Sequence, residues 1–110
     1  MTDKIVVLST CASAADAEKL ARALVSARLA ACVNVVPQIR SFYRWKGALE
    51  TASEFLLLIK TSRSLFDALK IELEKLHPYE VPEVIALPIV GGSENYLNWL
   101  GQNLRGGEAE

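Results

Sequence analysis

The stretch LHPYEVPEVI (76–85) holds the chain's only histidine, His77, followed closely by Tyr79, Glu80 and Glu83. An imidazole with carboxylate oxygens nearby is the donor chemistry of a copper, zinc or nickel site. The same stretch has a plainer reading. Pro78 cannot continue a helix and biases His77 toward an extended backbone. A histidine at a helix C-terminus is also favoured in its charged form by the helix dipole. The segment therefore reads first as a stiff helix-to-strand connector and second as one wall of a candidate site, with His77 as the candidate metal ligand and copper(II) or another divalent cation as the candidate ion.

Chemistry elsewhere in the chain is thinner. Cys11 and Cys32 form neither a CxxC pair nor a zinc pattern, and two thiols do not make a disulfide framework. A helix of some fifteen residues between them, at about 1.5 Å per residue, separates them by roughly 22 Å, too far to share one metal. LSTCASAAD (8–16) lacks the glycine-rich anion cradle and arginine of an acylphosphatase-type hydrolase. Glu50 and Glu54 stand close together, but no nucleophile–base order or pair of catalytic acids emerges, and the reading is of a non-enzymatic protein. Aromatic residues interleaved with Arg44 and Lys46 in FYRWKG (42–47) resemble a base-stacking platform. A net charge of −1 and the lack of a second aromatic motif on IVVLST (5–10) argue against nucleic acid.

The elements that must position these residues follow from periodicity. At 110 residues, 51% hydrophobic and 23% charged, the chain fits one soluble domain, with an ordered core expected over about 4–105. No apolar run approaches the ~20 residues that span a bilayer, and MTDKIVVLST lacks a signal-peptide pattern, so a cytoplasmic protein without a membrane partner is expected. IVVLST reads as a buried strand. Ser13 with Asp16 opens a helix whose spacing runs through Ala17, Leu20, Ala21, Leu24 and Arg28. Val33, Val35 and Val36 begin a second strand. Pro37 marks a bulge or an unpaired edge position, beyond which Ile39, Ser41, Tyr43 and Trp45 share one side.

Lys46-Gly47 is the turn, and residues 48–60 return as a third strand. Ser64 with Asp67 caps a second helix with the stripe Leu65, Leu69, Leu73 and Leu76 and a Lys70–Glu74 pair on its wet side. Glu83 to Val90 gives a fourth strand, with Pro88 pointing to an edge or bulge. Ser93 caps a last helix with Leu97, Leu100 and Leu104 inward, and the tail GGEAE is expected to fray. The order predicts an α+β, ferredoxin-like βαββαβ sandwich with an antiparallel sheet, a C-terminal helix and a long hairpin between strands two and three.

That hairpin is too long for one subunit. Its fourteen residues 33–46 reach about 46 Å at roughly 3.3 Å each, against a radius of gyration near 13 Å for a domain of this size. Its far end carries Phe42, Tyr43, Trp45 and Leu49, an apolar arm that asks for cover by another copy of the chain.

AACVNVVPQIRSFYRWKGALE, EFLLLIKT, LHPYEVPEVIALPI and SENYLNWL together resemble the CutA1 family of divalent-ion tolerance proteins, from about Ile5 to Leu104. The resemblance implies a homotrimer of ferredoxin-like subunits, similar in architecture to the PII signalling trimers, with the hairpin wrapping a neighbour. It also implies a link to tolerance of divalent metals, copper above all. Relatives that place copper on a strand-one cysteine and a His-His pair are matched here by Ser9 and Leu76-His77, so only His77 carries over. Among the matching positions, Cys32, Trp45, Glu50, Lys60, Tyr79 and Glu83 are expected to line a cleft between subunits. Two readings follow: a trimeric, copper(II)-binding tolerance protein, and a PII-like sensor of a small molecule or anion in those clefts.

Overall fold

In β1 (Lys4–Cys11) every second residue is buried, as a strand with one face on a core must be. Ile5, Val7, Ser9 and Cys11 face inward, and Val6, Leu8 and Thr10 point to the other side of the sheet. The computed structural model describes residues 2–106.

α1 (Ala14–Ser26) starts where the Ser13 hydroxyl accepts the Asp16 N–H at 3.1 Å, satisfying one free donor of the first turn. Asp16 places its charge at the positive end of the helix dipole. Ala17, Leu20 and Leu24 form its buried stripe. The helix stops earlier than its apolar spacing indicates: Arg28 has left it, with φ at +60°, and the amides of Leu29 and Ala30 fold back onto the Leu24 carbonyl. A residue in the left-handed region ends a helix by turning the chain away from the next intrahelical bond.

β2 (Cys32–Trp45) and β3 (Ala48–Ser62) form the long hairpin. Lys46 and Gly47, both at positive φ, make the two-residue turn whose twist matches paired strands. Pro37 and Gln38 face a single residue of β3, because pairing jumps from Val36↔Leu56 to Ile39↔Glu54. This is the expected bulge, with Gln38 at φ +61°.

A short 3₁₀ turn (Arg63–Leu65) leads into α2 (Phe66–Leu76). Ser64 does not cap this helix; its hydroxyl lies 3.2 Å from that of Ser62, because the 3₁₀ turn moves the start of α2 to Phe66. Nor do Lys70 and Glu74 pair. Lys75 approaches Glu72 instead, at 4.0 Å, an exposed contact worth little. Leu69 and Leu73 are fully buried, with Leu65 and Leu76 packed at the margin. β4 is shorter than the apolar run, Ile85–Pro88 only. It is an edge strand, where Pro88 costs no ladder bond. α3 (Glu94–Gln102) is capped by Ser93, which accepts the Tyr96 N–H at 3.1 Å. Leu100 and Leu104 are buried and Leu97 half-buried. Of the tail expected to fray, residues 107–110 lie outside the described residues.

The sheet is antiparallel in the order β2-β3-β1-β4, the arrangement of a ferredoxin-like sandwich. Among the described residues no helix is long and apolar enough to cross a membrane. α1 and α2 cover one face, sealing Leu20, Leu24, Leu69 and Leu73 against Val7, Leu57 and Ile59. Each such leucine contributes about 1.5–3 kcal/mol on burial. The opposite face bears Val6, Leu8, Leu56 and Leu58 and the exposed Val36, Ile85 and Leu87. The chain measures 50 × 25 × 22 Å, and the long axis reflects the outer hairpin. Ser13→Ala is expected to cost about 1 kcal/mol, read as a lower urea midpoint, whereas Ser64→Ala leaves the midpoint within about 0.5 kcal/mol because no helix end depends on it.

Candidate ligand site at the base of the hairpin arm

The bulge decides which arm residues meet the rest of the subunit. Before it, Cys32, Asn34 and Val36 share the uncovered face with Lys60, Leu58 and Leu56. One extra residue in β2 shifts the phase, so Ile39, Ser41, Tyr43 and Trp45 fall on that same face, opposite Glu54, Ala52, Glu50 and Ala48. The arm thereby presents aromatic rings and carboxylates toward the connector 77–84.

His77 ends α2 with an extended backbone, φ −75° and ψ 135°, the conformation imposed by the following proline. It is 7% exposed. Its Nδ1 accepts the Tyr79 N–H at 3.1 Å, so the proton sits on Nε2, which donates to the Thr10 carbonyl at 2.8 Å. His77 thus pins the connector to the end of β1, and neither ring nitrogen keeps a free lone pair. Copper ligation by His77 requires one of these bonds to open. Among the described residues, no group of three or more His, Cys, Asp or Glu side chains is arranged to hold a metal.

The pinned connector aims Tyr79 at the arm. Its hydroxyl donates to Glu54 Oε2 at 2.5 Å, a short bond of the kind made to ionised acceptors. Glu54 is 7% exposed, and among the described residues no cation forms a salt bridge with it. Burial, then the bond to Glu54 and its charge, push the Tyr79 hydroxyl well above its ordinary value of 10.0. Burial also raises the Cys11 thiol, so this buried cysteine holds its proton.

Around this contact lies a cavity of about 510 Å³, lined by Thr10, Ser41, Phe42, Tyr43, Trp45, Glu54, Tyr79, Glu80, Val81 and Glu83. Of the residues expected to share a cleft, the subunit brings Trp45, Tyr79 and Glu83 together here. Glu50 pairs with Tyr43 on the same strand face but is not among the lining residues. Cys32 and Lys60 face each other at the other end of β2, where the Lys60 ammonium sits 5.8 Å from the Tyr96 ring. They belong to a separate patch within one chain. The sequence reading left Glu54 out of the site. No local signal marked it: Glu54 is in phase with Leu56 and Leu58 rather than with the buried Leu57 and Ile59, so strand alternation assigns it to the uncovered face, and its burial comes from the long-range contact with Tyr79.

A ferredoxin-like domain with a long β2–β3 hairpin and an acidic, aromatic cavity beside it defines the class. The chain belongs to the CutA1 divalent ion tolerance protein family, whose model matches residues 5–103. It is 51% identical over 98 residues to the divalent-cation tolerance protein CutA of Thermus thermophilus, covering 89% of this chain and 95% of the relative. It is 53% identical over 93 residues to mouse protein CutA, but spans only 52% of that longer protein. The solved Thermus thermophilus structure superposes with a TM-score of 0.90 at 49% identity, covering 93% of this chain and 99% of the other. CutA from Xylella fastidiosa gives 0.92 at 41% identity, covering 94% and 100%.

Removing the Tyr79 hydroxyl leaves Glu54 buried without its donor, so Tyr79→Phe is expected to lose about 1.5–3 kcal/mol near neutral pH. The wild-type advantage should shrink as pH rises above the ordinary tyrosine value of 10.0. There the unfolded chain releases the Tyr79 proton while the folded chain still holds it, which favours unfolding. Urea midpoints of both proteins at about pH 9 and pH 11 check this; parallel losses in the two would remove Tyr79 as the source.

Proposed function

We propose that the chain serves divalent-cation tolerance as a non-enzymatic homotrimer, and that the cavity at the base of the arm binds a positively charged ligand. Glu54 carries this reading. This carboxylate is 7% exposed, has one oxygen on Tyr79 and no salt-bridge partner among the described residues, and so gains from a cation that joins it. Trimer formation is supported by the uncovered apolar sheet face and by Phe42 and Leu49, 63% and 71% exposed on the arm. A neighbouring copy that covers both also borders the cavity. Binding rather than catalysis is supported by the thiol of Cys11, held protonated and buried, and by His77, whose nitrogens are both committed. A reducing cytoplasm suits two free thiols.

Copper(II) is the first candidate among divalent ions. One chain would offer it Glu54 on the cavity wall, and further donors would come from a neighbouring copy. The alternative, a PII-like sensor, is favoured by the cavity's size, which lies within the range of small-molecule sites. Its carboxylate lining disfavours the anion version of that sensor.

Light scattering is expected to give three times the chain's 12.1 kDa at every concentration tested; a mass of one subunit overturns the trimer. Copper(II) titrated into metal-free protein is expected to give a saturable heat that Glu54→Gln abolishes and His77→Gln retains. Equal heats for wild type and Glu54→Gln would remove copper from the cavity, and loss of heat in His77→Gln would return the imidazole to the ligand set.

A further inference from the structure

The cavity's walls differ from those of a metal centre. Besides Glu54, Glu80 and Glu83 its lining residues include Tyr43, Trp45 and Tyr79, with no lysine, arginine or histidine among them; Tyr43 and Trp45 share the strand face of Glu54. A bare divalent ion gains nothing from aromatic rings and needs oxygen, nitrogen or sulfur donors on several sides. An alkylated ammonium or a guanidinium gains from both kinds of wall, since its charge is spread over a surface that packs on aromatic faces. One of these rings already attracts a cation of this chain: the Lys46 ammonium lies 5.7 Å from that of Trp45. Lys46 forms no salt bridge with Glu54, Glu80 or Glu83 among the described residues.

We propose that the cavity between the arm and the connector takes an organic cation, an ammonium or guanidinium on an apolar body, with its charge on Glu54 and its body against the rings of Trp45 and Tyr79. This rests on the reading of the cavity as a cation site and names the class of cation. About 510 Å³ is far more space than a metal ion fills and suits a ligand of one ring or a short chain. The Tyr79 hydroxyl, spent on one Glu54 oxygen, orients the carboxylate and leaves its other oxygen for the ligand.

The test compares three probes that share one aromatic frame and differ in charge: benzyltrimethylammonium, benzyl alcohol and benzoate. Each is titrated calorimetrically into the full chain, with the mass followed by light scattering in the same samples. The cation is expected to bind saturably, and the neutral and anionic probes about tenfold more weakly or worse. Glu54→Gln keeps an acceptor for Tyr79 and should weaken the cation about tenfold at unchanged mass and circular dichroism. The exposed rim variant Glu83→Gln, which puts no fold contact at risk, should weaken it by about twofold to fivefold. Equal binding of cation and alcohol, preference for benzoate, no binding of the cation, or no effect of Glu54→Gln overturns the proposal. Copper(II) binding without benzyltrimethylammonium binding overturns this inference and leaves the cation-site reading standing. Benzyltrimethylammonium binding without copper(II) upholds the inference and removes the metal candidate. Binding of neither overturns both. Because one chain lines the cavity, a subunit mass that contradicts the trimer leaves the probe results readable.

Discussion

β3 is longer than the sheet it centres, and most of what is distinctive in the subunit follows from that. Its inner half pairs on both sides, with β1 and β2, and buries Leu57, Ile59 and Thr61 under the helices. Its outer half, from Ala48 to Glu54, pairs with β2 alone. A two-stranded ribbon without a covering layer is marginal in water, so the arm must draw stability from something beyond its own ladder. Within the subunit that support is local: the arm's root is tied to the connector through Tyr79 and Glu54, and the connector to β1 through His77.

These two contacts form one chain of constraint. Pro78 sets the backbone of His77; His77 bridges the Thr10 carbonyl and the Tyr79 amide; Tyr79 then reaches Glu54. Each bond is modest, about 1 kcal/mol net for a neutral pair and more for one to a carboxylate. Their joint effect is geometric. They hold a polar, aromatic wall open to solvent at the boundary between covered sheet and uncovered arm, and such a boundary is where a second surface or a ligand can complete the burial. A domain that folded all its apolar surface inward would have no such place.

Much of this was legible in the residues. The caps at Ser13 and Ser93, the proline stop after Leu76, the bulge at Pro37 and the Lys46-Gly47 turn are local chemistry, read from a few neighbouring side chains. Where the reading slipped, competition between neighbours decided the outcome. Ser64 had the spacing of a cap, but the 3₁₀ turn placed it before the helix. Arg28 fitted the helical repeat, but the chain needed a reversal there to enter β2.

The amino-acid order by itself determined the element types, the sandwich topology and the excess length of the hairpin, because helical and strand periods, caps and turn residues act over a few positions. Only the tertiary structure decided which residues meet. One additional residue in β2 sets the face on which Tyr43 and Trp45 lie, and the long-range bond from Tyr79 makes Glu54 a buried carboxylate. It likewise divides Cys32 and Lys60 from Trp45, Tyr79 and Glu83, since a strand that runs past its sheet puts its two ends in different surroundings.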